Sequence, residues 1–152
     1  MFYQKIGLLI ESMFLSLQVT SAVKTFLRNL PEPIMTYKLH SKFIAAAKLD
    51  TYEARVAEVK RLTEQLPEPN KRMLEILSRH LERVAMNAKK NMMTVSNLGV
   101  CFGPTLLRNE EETVAAIMDI KFGNLVVEIF VENWRQILAG GPPRKEPRLS
   151  RF

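Results

Sequence analysis

Lys24 and Arg28 stand four residues apart in the run Val-Thr-Ser-Ala-Val-Lys-Thr-Phe-Leu-Arg-Asn-Leu that begins at Val19. On a helix this spacing puts both cations on one side, one turn apart, where they repel by about 0.2–0.5 kcal/mol. Local helix stability therefore does not ask for them. Two readings follow: a solvated basic face above a core helix, or a rigid platform offering two positive charges to an acidic partner. Other chemistry is sparse. His40, His80 and the single cysteine, Cys101, cannot make a metal site by any usual spacing. Cys101 has no Cys/His/Asn constellation around it and reads as a small buried filler. Gly103-Pro104-Thr105 lacks the lysine and spacing of a phosphate cradle, so the chain is not expected to bind a nucleotide itself. No catalytic residue, cofactor or metal is expected.

The elements that must hold these residues are helical. Val19, Val23, Phe26, Leu27 and Leu30 share the side opposite Lys24 and Arg28 and are expected to be buried. Leu30 precedes Pro31, which ends that helix, and Pro31-Glu32-Pro33 makes a stiff exit. A short helix is expected over 38–49, with Phe43, Ile44 and Ala47 inward. Asp50-Thr51-Tyr52-Glu53 has the spacing of a helix start with Asp50 in the capping role, and Tyr52, Val56, Val59, Leu62 and Leu66 then form a stripe. Leu66-Pro67-Glu68-Pro69 ends it, echoing Leu30-Pro31-Glu32-Pro33 as shared punctuation, not as a repeat.

From Asn70 to Ala88, Met73, Leu74, Leu77, Leu81, Val84 and Ala88 recur at three and four, which suggests the central helix, with His80 as a hydrogen-bonded edge residue. Lys89-Lys90 complements the negative end of its dipole. Thr94 or Ser96 can cap the next helix, which buries Val95, Leu98 and Phe102 and stops at Gly103-Pro104. Asn97 projects from the opposite side and, taken alone, reads as a helix-start residue making local backbone bonds. Asn109 with Glu112 signals another helix start, and the helix continues to Leu138 with Val126, Ile129, Phe130, Trp134 and Ile137 inward. No segment alternates as a strand does, so the fold class is all-α and bundle-like.

At 152 residues the chain is one domain with room for a proper core. Its net charge is +6, but the stretch 140–152 carries Arg144, Lys145, Arg148 and Arg151 against Glu146, leaving the body only mildly basic. A nucleic-acid footprint would cluster cations on one face, and here they are scattered among acids. The lone cysteine fits a reducing, cytoplasmic setting. Over 1–18, Phe2, Ile6, Leu9, Ile10, Met13 and Leu17 share a helical side, but Glu11 interrupts a run too short to span a membrane. No transmembrane segment is expected there. A surface anchor fits less well than a helix packed on the body, and peripheral membrane contact is the most that side allows.

Three motifs carry a family resemblance. The stretch Val19–Tyr37 resembles the second major helix and exit turn of GTPase-activating domains for Rho-family small GTPases (RhoGAP domains). Asn91-Met92-Met93-Thr94-Val95-Ser96-Asn97-Leu98-Gly99-Val100-Cys101-Phe102-Gly103-Pro104-Thr105-Leu106-Leu107-Arg108 matches that family's second signature, and Thr113 to Phe122 resembles its oligophrenin and GRAF branch. The likeness runs in order from about Val19 to Trp134.

By this resemblance, Lys24, Arg28 and Asn97 occupy the positions of the family's partner-contacting lysine, arginine and asparagine. The implied partner is a Rho-family small GTPase of the Rho, Rac or Cdc42 type in its GTP-bound state. The chain would regulate that partner's hydrolysis and would not be an enzyme itself. Full domains of the family place a helix and a loop bearing a catalytic arginine before the platform helix. Here the first arginine is Arg28, so the expectation is a RhoGAP-like bundle whose front portion is missing or replaced. Residues 1–18 would be a non-family helix, 19–138 the RhoGAP-like domain and 139–152 a basic Pro/Gly-rich disordered tail. Docking with weak or no stimulation is the expected function; the alternative is a helical binding or scaffold module without GTPase contact.

Overall fold

The computed structural model describes residues 21–145, so the expected helix over 1–18 and the end of the tail lie outside the described residues. The chain divides into two compact units, 1–31 and 32–152. In the first, residues 21–28 are helical and form α1. Its apolar side is not buried as a whole. Leu27 is 2% exposed, but Phe26 is 61% exposed and Val23 is also open to solvent. Periodicity gives the direction of an apolar stripe, and burial then depends on what covers it; Leu30 is half-buried, and Val19 lies outside the described residues.

The second unit is an all-helical body with no strand among the described residues. It comprises α2 (Tyr37–Ala47), α3 (Tyr52–Thr63), α4 (Glu68–Met86), the single turn α5 (Ala88–Asn91), α6 (Val95–Leu106) and α7 (Val114–Leu138). The exit turn before α2 is pinned at several points. Met35 N–H donates to the Leu106 carbonyl (3.2 Å), Asn70 Nδ2 donates to the Ile34 carbonyl (2.7 Å), and Glu32 accepts from the Tyr37 N–H (3.0 Å). Glu32 thus supplies the N-terminal acceptor that Thr36, at φ 64°, does not.

α2 buries Phe43, Ile44 and Ala47, and α3 buries Val56, Val59 and Leu62, as the spacing predicts. The α3 cap is Thr51, not Asp50: its hydroxyl accepts from Ala54 N–H (3.2 Å), the ordinary reach to the third helical amide. α4 starts at Glu68, with Pro69 in its first turn, where a missing N–H costs nothing. Its buried side is Leu74, Ser78, Leu81, Glu82 and Ala85, rotated from the expected stripe; Met73 is exposed, and Leu77 and Val84 are half-buried. His80 is exposed, and its side chain makes no hydrogen bond among the described residues.

Glu82 can face inward because its carboxylate is engaged. It accepts from Trp134 Nε1 (2.9 Å) and from Arg135 at both oxygens (2.7 and 2.8 Å). Burial pushes its pKa up, but the Arg135 and Trp134 hydrogen bonds and the Arg135 and Arg144 charges outweigh that, leaving it lowered.

The central helix is α7, not α4. α7 packs against α2, α3, α4 and α6, and Val126, Val127, Ile129, Phe130 and Val131 are all buried. Thr113 caps it through Ala116 N–H (3.1 Å), while Asn109 serves a local turn by accepting from Glu110 N–H. α6 does not stop at Gly103-Pro104 but runs through both to Leu106. Pro104 removes only the donor to the Val100 carbonyl, and Val100 lies on the exposed side, where water can serve it. After α7, Gly140 takes φ +65° and Gly141 N–H closes on the Arg135 carbonyl (2.8 Å). In the described part of the tail, Arg144 donates to the Glu132 carbonyl (3.0 Å).

Candidate partner-binding surface

On α1, Lys24 and Arg28 stand one turn apart on a common side; Lys24 is half-buried and Arg28 exposed. Asn97 belongs to the second compact unit and is described with it. It sits in the first turn of α6 and is exposed, as expected. Thr94 accepts from its backbone N–H (3.2 Å), and its side-chain Nδ2 donates to the Met92 carbonyl (2.9 Å). The local backbone bond anticipated for an isolated asparagine is therefore present, while its Oδ1 takes no bond among the described residues.

That bond fixes an unusual turn. Met92 is left-handed (φ 61°), a region that costs a long side chain about 1 kcal/mol or more. The turn is held by Met92 N–H to Ala88 O, Met93 N–H to Asn91 Oδ1 (2.8 Å) and Asn91 Nδ2 to Val84 O (2.8 Å). The result presents Met92, 75% exposed, beside Asn97, with Val100 exposed one turn further along α6. Met92 and Val100 were missed in the sequence reading. The available signal was Asn91-Met92-Met93 directly after a helix end, two large apolar residues in a turn.

Inward, α6 comes close to the α7 backbone at Gly99 and Gly103, with the Asn124 and Glu128 side chains also opposite. A Cβ on Gly99 would stand 2.8 Å from the Asn124 carbonyl oxygen, and one on Gly103 would stand 3.0 Å from Asn124 Cα. With its amide oriented to donate, Asn124 reaches the carbonyls of Ile120 (3.2 Å) and Gly99 (3.3 Å). Cys101 is half-buried, not buried as expected. Among the described residues no group of three His, Cys, Asp or Glu side chains could hold a metal ion, and no helix is long and apolar enough to cross a membrane.

The described residues form an all-α body in which α6 turns a mixed polar and apolar side outward. The family profile of the RhoGAP domain matches residues 12–111, and the chain belongs to that family. Among its relatives, Rho GTPase-activating protein 10 of Mus musculus is 52% identical over 147 residues, covering 88% of this chain and 19% of the relative. Rho GTPase-activating protein 26 of Homo sapiens is 59% identical over 119 residues, covering 78% and 15%. The crystal structure of the BH domain from GRAF, the GTPase regulator associated with focal adhesion kinase, superimposes with a TM-score of 0.76 at 55% identity, over 83% of this chain and 67% of that one. These likenesses fit the oligophrenin and GRAF branch. The chain spans less than a fifth of the length of the curated relatives it matches.

Proposed function

We propose that this chain docks on Rho-family small GTPases in their GTP-bound state, in the cytoplasm, and stimulates their hydrolysis weakly or not at all. The observation that carries the reading is the family match over residues 12–111, with relatives named Rho GTPase-activating proteins. Lys24, Arg28 and Asn97 are the proposed contacts. Two cations one turn apart suit an acidic partner surface, and Asn97 offers an amide beside the apolar Met92 and Val100. In such a pair the chemistry belongs to the partner. The activator's share is to hold mobile loops in the productive arrangement, and an arginine from outside, where supplied, adds roughly a thousand- to a hundred-thousand-fold in rate. Arg28 is the first arginine of this sequence and stands next to the end of a helix, not in a long loop. Docking is therefore proposed without that acceleration.

The test is single-turnover GTP hydrolysis by Rho, Rac and Cdc42 with and without the chain, alongside capture of each in its GTP-loaded form. Capture with a rate change below about tenfold is expected; acceleration of a thousandfold or more would overturn the weak-stimulation part. A second reading, a helical binding module without GTPase contact, draws on the Asn97–Met92 bond, which gives Asn97 a local structural reason. Unchanged capture by a Lys24→Ala, Arg28→Ala double variant would favour it.

A further inference from the structure

The first half of α7 carries an apolar stripe that stands exposed among the described residues. Val114, Ile117, Met118 and Ile120 are all exposed, Ile117 at 65%. Ile117 and Ile120 also line a groove of about 460 Å³ whose other walls include Ile44 of α2, Leu107 at the end of α6, and Ala116 and Gly123 of α7. Two small residues on α7 leave this space open. A Cβ on Gly123 would find its nearest neighbours, Leu107 and Ile44 side chains, only at 3.8–3.9 Å. The volume is within the usual range for ligand sites, about 300–1,000 Å³.

The charges around the groove are unequal. Glu111 and Glu112 line its mouth, and Glu110 precedes them on the same exposed loop. Asp119 is engaged with Lys48 at 2.9 Å, and that lysine, like Lys121, also lies over the Phe122 ring. Arg108, the nearest cation on the loop, donates to Tyr37 Oη (3.4 Å). His40 adds no positive charge near neutral pH, since burial lowers its pKa more than Asp119 raises it. The loop side is thus three carboxylates against one arginine, set directly against an apolar floor.

From this juxtaposition we propose that the α2–α7 groove receives a basic amphipathic segment of a partner protein, apolar side down and cations toward Glu110–Glu112. Helix-in-groove docking uses anchors at this spacing, and complementary charge at the rim sets partner choice more than raw affinity. Two other occupants fit less well. The chain's own basic tail starts from Arg144, held by Glu132 and 3.9 Å from Glu82 at the other end of α7. A second copy would have to build a stable interface on four exposed apolar side chains, where about 20–30 residues a side are usual.

The experiment is a methyl NMR titration of the full chain with a short synthetic Leu/Lys amphipathic helix, and with its Leu/Glu counterpart. Saturable shifts at the Ile44, Ile117 and Ile120 methyls are expected, with the Leu/Glu peptide at least about tenfold weaker. Ile117→Glu and Glu111→Lys plus Glu112→Lys should each weaken the Leu/Lys peptide at least about tenfold. Both change exposed side chains, so thermal melting should show them folded. Equal binding of the two peptides, or shifts confined to other surfaces, would overturn the proposal. So would self-association abolished by Ile117→Glu, or a groove that opens to peptide only on removal of residues 146–152.

Discussion

Replacing Gly99 with alanine sets two opposed effects against each other at one atom. Alanine in place of an interior helical glycine ordinarily gains about 0.5–1 kcal/mol by restricting the unfolded chain. At Gly99, however, the added Cβ would lie 2.8 Å from the Asn124 carbonyl oxygen and 3.0 Å from Glu128 Cγ. Real Cβ atoms do not approach a backbone oxygen so closely, and the oxygen belongs to the middle of α7, which cannot swing aside. Relief requires α6 to move off α7, weakening the Asn124 bond to the Gly99 carbonyl. Overpacking of this kind costs about 1–3 kcal/mol, and less the propensity gain of about 0.5–1 kcal/mol the net is a loss of up to about 2.5 kcal/mol, centred on about 1 kcal/mol. For a domain of this size a loss of about 1 kcal/mol lowers Tm by about 2–4 °C. Gly123→Ala is the control on α7: its Cβ meets nothing closer than 3.8 Å, so the propensity gain should survive and raise Tm by about 1–4 °C. Urea and thermal unfolding of both variants decide the matter. A Gly99→Ala protein as stable as the parent, or more so, would show that the α6–α7 contact has slack and refute the close-approach argument.

Three further outcomes follow. His40 has a pKa lowered by burial, with Asp119 opposing, so the unfolded chain takes up a proton before the folded one does. Stability should then fall as pH drops through and below the ordinary histidine range near 6.5, and His40→Gln should flatten that fall, read by urea midpoints between pH 7.5 and 5.5. Glu82 has a lowered pKa, so its contribution is present above the unfolded carboxylate value and is lost as pH falls through the folded one. Glu82→Ala, which strands the buried Trp134 N–H, should cost about 1–3 kcal/mol at neutral pH and less in acid. Asn97→Asp removes the donor to the Met92 carbonyl and should cost about 0.5–1.5 kcal/mol in urea unfolding, with the change in amide shifts concentrated at residues 91–97.

What could be read from the sequence was whatever one helix decides for itself. The α3 stripe, the Thr94 cap and the inward residues of α7 follow from periodicity and from a hydroxyl reaching its third amide. What escaped depended on neighbours. Gly103-Pro104 looks like a stop because each residue is a poor helix former, yet here the glycine's lack of a side chain lets α6 continue against Asn124. On α4 the spacing rightly turns Leu74 and Leu81 inward, but Ser78 and Glu82 join them in place of Met73, Leu77 and Val84, and only Trp134 and Arg135, more than fifty residues away, make Glu82 an inward residue. At the candidate surface the same division holds. Lys24 and Arg28 are visible as a pair from spacing alone. The Asn97 tie to a left-handed Met92 belongs to a turn whose conformation no local rule dictates.

The two sides of α6 are therefore not independent. Outward it offers Asn97 and Val100, and inward its Gly99 and Gly103 rest on the α7 backbone around Asn124. At Gly99 and Gly103 the α7 backbone and the Asn124 and Glu128 side chains leave little room, and packed interiors pass strain on instead of yielding to it. A displacement of α6 by a Cβ at position 99 should carry Asn97 with it and loosen its hold on the Met92 turn. If the proposed docking uses this surface, Gly99→Ala should weaken capture of GTP-loaded Rho-family protein as well as stability. Gly123→Ala should raise stability and leave capture unchanged. Equal capture by the parent and a folded Gly99→Ala protein would separate the two sides of α6 and remove Asn97 from the proposed interface.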